Sequence, residues 1–388
     1  MKVTALAAQT PEAVRAALAA RGWETQPAWF AATGMQTTVL LLEDITEDER
    51  EALVHWGTRS GIDVLTGDAW ALIAGGTSRI APLARYDRVP QELARLAPEL
   101  GKVLAVRAEP PRVWAIAGGE LSLETPVIIG VVNVTPDSFS DGGHLPTADA
   151  AIEHGAQLMA DGARLLDIGG ESTRPGAGPV PVQEELARVV PVIAGLTKRQ
   201  IGPISIDTRK AEVARAALEA GAAVVNDVSG LRFDPALAEV VAKSGAGLIL
   251  MHMRGTPATM DEHATYKHVT AEVAAELAAA AGKAERDGIA RERIVLDPGF
   301  GFAKTASQNL RVLDELATIV AVGYPVAVGL SRKRFLGAAT GRPVDDRDRA
   351  TAVACALAWE RGARLFRVHD VALTREALAL ASATTNPT

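Results

Sequence analysis

From Val127 onward, short apolar runs recur along the chain: VIIGVVNV, ARLLDIGG, PISID, AVVND, GLILMHM, RIVLDPG, YPVAVGLS and ARLFRVHD. Between them lie stretches with helical spacing, such as Ala148, Ile152, Gly155 and Met159, or Val213, Ala217 and Ala220. Runs that are apolar throughout, with no alternation, belong to parallel strands covered on both faces. Eight strand-then-helix units over roughly 255 residues match a (β/α)8 barrel, whose usual size is about 250 residues. A doubly wound open sheet is the competing layout. The number eight favours closure, and so do polar residues at nearly every strand's C-terminal end. The predicted fold class is therefore α/β, a (β/α)8 TIM barrel.

The first part of the chain reads differently. TTVLLLEDI predicts a strand, and TEDEREALVHWGTRSG predicts a helix with Thr46 as its cap and Glu49 three residues on. A second helical pattern, PEAVRAALAARG, precedes them and ends on Gly22. The stretch from Arg85 to Pro111 carries Pro90, Pro98, Pro110 and Pro111 and predicts a connector with a short helix. VWAIAGGELSLETP then predicts a hairpin with a Gly-Gly turn. The expected division is a small α/β or α+β extension over 1–110, without a catalytic constellation, and a catalytic barrel over 111–388.

Composition narrows the function. The chain has 388 residues, 48% of them hydrophobic, and a formal net charge of -7. A nucleic-acid footprint would be basic and clustered, so no such partner is expected. The single cysteine, Cys355, excludes an intrachain disulfide framework and lies in the apolar helical run TAVACALAWE. No apolar run approaches the ~18 residues of a membrane span. The N-terminus does not read as a signal peptide, so a cytoplasmic location is the default.

The chemistry is concentrated at the strand ends. The runs end in Asn133, Asp167 with Glu171-Ser172-Thr173-Arg174, Asp207, Asn226-Asp227, His252, Asp297, Ser331-Arg332-Lys333 and Arg367-His369-Asp370. Barrel enzymes build their sites on that rim. Taken singly, Asp207 and Asp297 can be helix caps, Asn226 and Asp227 can tie loops together, and Asp167 reads as structural. As a set, Asp207, Asn226 and Asp297 offer carboxylate acceptors and an amide, with Lys333 as the compensating cation. A fused pyrimidine with a 2-amino-4-oxo edge matches those groups, and a guanine would match equally well. Met251 and Phe302 can line a flat pocket, although each alone is a normal core residue. Arg367 and His369, one residue apart on the last strand, suit a phosphate, since barrels often hold one near strands 7 and 8. The alternative for Arg367 is an ion pair with an acidic neighbour. No CxxC, HExxH or carboxylate cluster marks a metal; a Mg²⁺ held mainly by a diphosphate leaves so faint a trace.

Together the segments NVTPDSFSDGG (133–143), DIGGESTRPGA (167–177), IDTRKAEVARAALEAGA (206–222), NDVSG (226–230), LMHMRGTP (250–257), DPGFGF (297–302), GLSRKRFLG (329–337) and RVHDV (367–371) resemble the dihydropteroate synthase family over about 125–383. The resemblance implies that the amine of p-aminobenzoate attacks the methylene of 6-hydroxymethyl-7,8-dihydropterin diphosphate, giving 7,8-dihydropteroate and diphosphate in folate biosynthesis. It implies that Asn133 touches Mg²⁺ and the diphosphate, and that Thr173 contacts the substrates. Asp207, Asn226, Asp297 and Lys333 hold the pterin, in a pocket that includes Met251 and Gly329. Arg367 and His369 bind the diphosphate. Phe139, Asp141, Arg174 and Pro175 fall on two loops that complete the aminobenzoate pocket, which Phe302 lines. A homodimer and sulfonamide inhibition are also implied.

Two departures stand out. Many members carry Ser after the lysine of SRK, where it meets the aminobenzoate carboxylate, and here that residue is Arg334. The N-terminal extension is absent from compact members. The alternatives are a methyltetrahydrofolate-dependent methyltransferase, which shares the barrel without the NVTPDSF loop, and a catalytically silent pterin-binding protein.

Overall fold

In the computed structural model, which describes residues 37–85, 87–108, 111–135, 147–172 and 178–385, Thr46 caps a helix over Glu47–Ser60 by the expected reciprocal pair. Its side chain accepts from Glu49 N, and the Glu49 carboxylate accepts from Thr46 N at 2.8 Å. This helix accompanies the strands β1 (Thr37–Glu43), β2 (Asp63–Thr66) and β3 (Trp70–Gly76), ordered β1-β3-β2 and antiparallel throughout. The arrangement is α+β. A further helix runs over Ala97–Ala108, inside the predicted connector. The helical pattern before Gly22 lies outside the described residues. By internal contacts the chain divides into two units, Met1–Glu109 and Pro110–Thr388.

The second unit opens with a hairpin of β4 (Val113–Ile116) and β5 (Gly119–Ser122). Its turn is Ala117-Gly118 and not Gly-Gly: Ile116 already pairs with Gly119, and the left-handed position is Gly118, φ 76°. The parallel strands follow as β6 (Val127–Asn133), β7 (Leu165–Gly169), β8 (Ile204–Asp207), β9 (Val224–Asp227), β10 (Gly247–Met251), β11 (Ile294–Asp297), β12 (Ala327–Val328) and β13 (Leu365–Val368). All eight coincide with the apolar runs. They pair in the order β11-β10-β9-β8-β7-β6-β13-β12, and a parallel bridge between Leu296 and Val326 closes the ring. The barrel expectation is met.

Each strand is apolar on both faces because each face has its own core. Alternate residues such as Ile128, Val132, Leu166 and Ile206 pack outward with the helices. Val127, Ile129, Leu165, Val224, Ile249, Val295, Ala327 and Leu365 instead form a cluster with Trp114 and Leu121 of the hairpin. Trp114 is fully buried, and its indole N–H donates to the Arg293 carbonyl at 2.8 Å. The hairpin therefore stops the N-terminal mouth of the barrel and leaves the C-terminal rim for chemistry. Cys355 is buried in the helix Asp348–Glu360, and burial pushes its thiol up to about 12, so it is an inert packing residue. Among the described residues no helix is long and apolar enough to cross a membrane.

Candidate active site

Parallel register brings the rim residues level with one another. Asn133 pairs with Gly169, and Gly169 with Asp207. Asp207 pairs with Asn226, and Met251 with Asp297. The Asn133 carboxamide and the Asp207 carboxylate both lie beside Gly169. A Cβ at Gly169 would stand 3.6 Å from Asn133 Oδ1 and 3.7 Å from Asp207 Oδ2.

Arg367, rising from β13, organises one side of the rim. Its Nε donates to Asp167 Oδ2 at 2.5 Å and its Nη2 to Asp207 Oδ2 at 2.8 Å. Asn226 Nδ2 donates to the same Asp167 oxygen at 3.1 Å. The acidic pairing considered for Arg367 thus exists, and it is the device that places the guanidinium on the rim. Asp167, read from sequence as structural, is fully buried and ties Asn226 to Arg367. Burial pushes Asp207 up to about 7; Arg367 opposes the shift, while Asp167, Glu185 and Asp227 add to it. Asp227 is the loop-tying residue of the pair at the end of β9: its oxygens accept from Ser229 N and Leu231 N at 2.7 and 2.6 Å.

Asp297 holds the other side. Burial pushes its carboxyl up to about 6, against the Gly299 N–H donated at 2.7 Å and the charges of Lys333, Lys304 and Arg367. The turn that follows is built on glycine. At Gly299, φ 67°, a Cβ would overlap the His252 carbonyl oxygen. Phe302 is buried with Met251, Met253 and Met260. Lys333 Nζ sits 4.2 Å above the Phe302 ring, a cation–π contact that joins the predicted pterin cation to the predicted lining residue. Gly329 stands beside Asp297: a Cβ there would be 3.9 Å from Asp297 Oδ2.

At the last strand, Ser331 Oγ lies 2.8 Å from His369 Nδ1 and accepts from the His369 backbone N–H. Ser331 was visible in sequence only as a strand-end residue. Arg334 opens the helix Arg334–Thr340 and is exposed, and its Nη2 lies 3.3 Å from Asp261. Thr173, Arg174, Pro175, Phe139 and Asp141 lie outside the described residues. Among the described residues no group of His, Cys, Asp and Glu could hold a metal by itself.

Sequence reading missed a buried set behind the rim. Lys304 Nζ donates to the Gly299 and Phe302 carbonyls at 3.2 and 3.1 Å and contacts His252 Nδ1 at 3.1 Å. His252 Nε2 is 3.0 Å from Glu276, which also pairs with Arg254. A second set, Lys210 with Glu171 and Glu185, gathers at the base of the DIGGESTRPGA segment.

Residues 129–369 match the family model described as pterin binding enzyme. The dihydropteroate synthase of Mycobacterium leprae is 48% identical over 270 residues, covering 68% of this chain and 95% of that protein. A probable bifunctional folylpolyglutamate synthase/dihydropteroate synthase of Halobacterium salinarum is 39% identical over 342 residues, 86% of this chain and 41% of that one. That span is longer than the unit Pro110–Thr388, so it reaches into the N-terminal unit. The Xanthomonas albilineans dihydropteroate synthase with 4-aminobenzoic acid superposes with a TM-score of 0.67 at 46% identity, over 72% of this chain and 100% of that one. The same enzyme in complex with 7,8-dihydropteroate gives 0.65 at 44%, over 71% and 100%.

Proposed function

The chain belongs to the pterin-binding enzymes as one of the dihydropteroate synthases, and on that premise we propose that its rim joins 6-hydroxymethyl-7,8-dihydropterin diphosphate to p-aminobenzoate with Mg²⁺ as the resident cation. The product, 7,8-dihydropteroate, places this transferase in folate biosynthesis. The methyltransferase and silent-binder alternatives give way, since the relatives matched are named synthases.

The observation that carries the assignment of residues is a pair of buried carboxylates, Asp207 and Asp297, three strands apart on one rim with Lys333 and Arg367 beside them. They accept from the N–H groups of the pterin's 2-amino edge, while Asn226 and Lys333 serve its carbonyl and ring nitrogens. Met251, Phe302 and Gly329 form the surrounding wall. The aryl amine is uncharged at neutral pH, so its attack needs no strong general base. The bond from the methylene carbon to the diphosphate oxygen breaks, and its electron pair leaves with the diphosphate. The methylene, conjugated with the electron-rich ring, then accepts the amine's lone pair, and the proton lost from nitrogen passes to water or diphosphate. Ionised Asp207 and Asp297 favour the cationic ring, which makes the displacement SN1-like.

Arg367 and His369 meet the leaving diphosphate, with Ser331 fixing the His369 ring. The Asn133 carboxamide fits a Mg²⁺ held mainly by substrate, because that cation commonly takes one or two protein oxygens and completes its shell with phosphates and water. When bound, it neutralises charge developing on the leaving group. Thr173, Phe139, Asp141, Arg174 and Pro175 contribute from the flanking loops, and Arg334 faces the aminobenzoate carboxylate. The reading includes a cytoplasmic location and a homodimer, the latter supported by exposed Val353, Leu357 and Leu380 on the last two helices.

The test is an assay of the full chain with dihydropterin diphosphate, p-aminobenzoate and a Mg²⁺ titration, scored for diphosphate release, dihydropteroate and sulfonamide inhibition. Mg²⁺-dependent formation of both products is expected. No product at any Mg²⁺ concentration overturns the activity, and product formation indifferent to Mg²⁺ removes the cation.

A further inference from the structure

Lys304 is 6% exposed, and its ammonium is spent on groups of the protein itself, two backbone carbonyls and a histidine. A cationic lysine can only donate, and its three protons match three acceptors: the Gly299 carbonyl, the Phe302 carbonyl and His252 Nδ1. Since Nδ1 accepts, the His252 proton sits on Nε2 and points to Glu276 at 3.0 Å. Burial, with Lys304 nearby, holds that imidazole down at about 4, hence neutral.

The two carbonyls are the ends of one turn. Phe302 N also donates to Gly299 O at 3.1 Å, so Lys304 closes that turn from behind. Gly299 is gripped on both sides, its N–H by Asp297 and its carbonyl by Lys304. Asn309 completes the enclosure: its Oδ1 accepts from Gly301 N at 2.7 Å and its Nδ2 donates to Lys304 O at 3.1 Å. The residues so fixed are two that the proposed pterin pocket uses, the Asp297 carboxylate and the Phe302 ring beneath Lys333.

We propose that Lys304 is a positioning residue for the pterin end of the site, holding the Gly299–Phe302 turn so that Asp297 and Phe302 keep the geometry a 2-amino-4-oxo ring requires. The proposal rests on the reading given under Proposed function. It has an electrostatic side as well. The charged groups facing Asp297 are Lys304 from its own loop, Lys333 from the segment after β12 and Arg367 from β13. Those facing Lys304 are Asp297, Glu276, Arg254 and Lys333. Burial brings Lys304 down to about 7, and Asp297 opposes that shift. Removing the lysine therefore takes a cation from behind Asp297 and lets its carboxyl rise further.

Lys304→Met and Lys304→Gln are compared with the wild type in the two-substrate assay. Both should raise the KM for dihydropterin diphosphate about tenfold or more, while the p-aminobenzoate KM stays within about twofold. Lys304→Gln, which keeps N–H donors, should be the milder. In both, the acid limb of kcat/KM for the pterin should move to higher pH by about one unit. Equal rises in both KM values, or an unmoved acid limb, overturn the proposal. Should neither variant fold, ¹⁵N spectra of histidine in the wild type decide: unprotonated Nδ1 at His252 supports it, and a proton on Nδ1 overturns it. An inactive wild type sinks the synthase reading, whereas an active wild type with indifferent variants sinks Lys304 alone.

Discussion

Asp207 and Asp297 occupy matching places, each the last residue of a barrel strand and each buried, yet they are compensated by different means. Asp207 shares one cation, Arg367, with a second buried carboxylate, Asp167. Asp297 faces two lysines and accepts a backbone N–H. Burial pushes both carboxyls up, Asp207 to about 7 against Arg367, and Asp297 to about 6 against the Gly299 N–H and the charges of Lys333, Lys304 and Arg367. Arg367→Met breaks the comparison most directly. It leaves Asp167 and Asp207 without their shared cation, Asp167 keeping only the neutral Asn226 amide. Denaturant unfolding should show a loss of about 3–5 kcal/mol, the usual cost of removing one partner from a buried ion pair. The kcat/KM should fall ~10³-fold or more, because in the proposed site the same side chain meets the leaving diphosphate. Stability within 1 kcal/mol of the wild type would place the pairing outside the forces that hold the rim.

The next contrast is between Asp297→Asn and Asp207→Asn. Asp297 is mostly ionised at neutral pH, so the amide removes a charge and a charged hydrogen bond. The pterin KM should rise roughly 10- to 100-fold, from about 1.5–3 kcal/mol for such a bond. Asp207 is half protonated near pH 7, and its amide relieves repulsion with Asp167, so its pterin KM should rise several-fold less. The sign of the stability effect follows from linkage. The folded value, about 7, lies above the ordinary carboxylate value of 3.8, so the native state holds a proton that the unfolded chain has lost between those limits. The Asp207 contribution to wild-type stability therefore drops as pH rises from about 4 to 7 and levels off above. The amide at 207 does not titrate, so the Tm of Asp207→Asn should gain on the wild type across that window. A Tm difference constant from pH 4.5 to 8 would mean that Asp207 is not the group raised.

What was legible in the sequence follows the range of the forces involved. The eight barrel strands were legible because both faces of each are buried, which writes an uninterrupted apolar run. The rim residues were legible because each ends such a run. β2 was not: a four-residue edge strand with mostly exposed side chains carries no hydrophobic pattern. The hairpin turn was placed one residue late because Gly118 and Gly119 are equally permissive, and only the pairing of Ile116 with Gly119 decides. The partners of Arg367 lie 200 and 160 residues away, and those of His252 include Lys304 at a separation of 52. Such pairings are products of barrel closure, with no local signature. Lys304 therefore passed as an ordinary residue after DPGFGF. The two loops that carry Phe139, Asp141, Thr173, Arg174 and Pro175 remain expectations drawn from the resemblance.

The smallest effect belongs to Arg334, and it sharpens the contrast between buried and exposed charge. Arg334 and Asp261 are 69% and 62% exposed, and an ion pair at 3.3 Å between such groups is worth little, since water screens it and long side chains lose entropy on pairing. Arg334 is therefore held loosely and can turn to a carboxylate supplied by substrate. Arg334→Ala should leave folding stability within ~0.5 kcal/mol. It should raise the p-aminobenzoate KM by about threefold to tenfold while the dihydropterin diphosphate KM hardly moves. The rise should shrink as ionic strength increases, because an exposed contact is screened over about 8–10 Å at physiological salt. Arg334→Lys should restore most of the loss if the contact is a point charge, and little of it if the planar guanidinium grips both oxygens of the carboxylate. An Ala variant with both KM values unchanged would assign Arg334 to Asp261 alone and leave recognition of the aminobenzoate carboxylate to other groups.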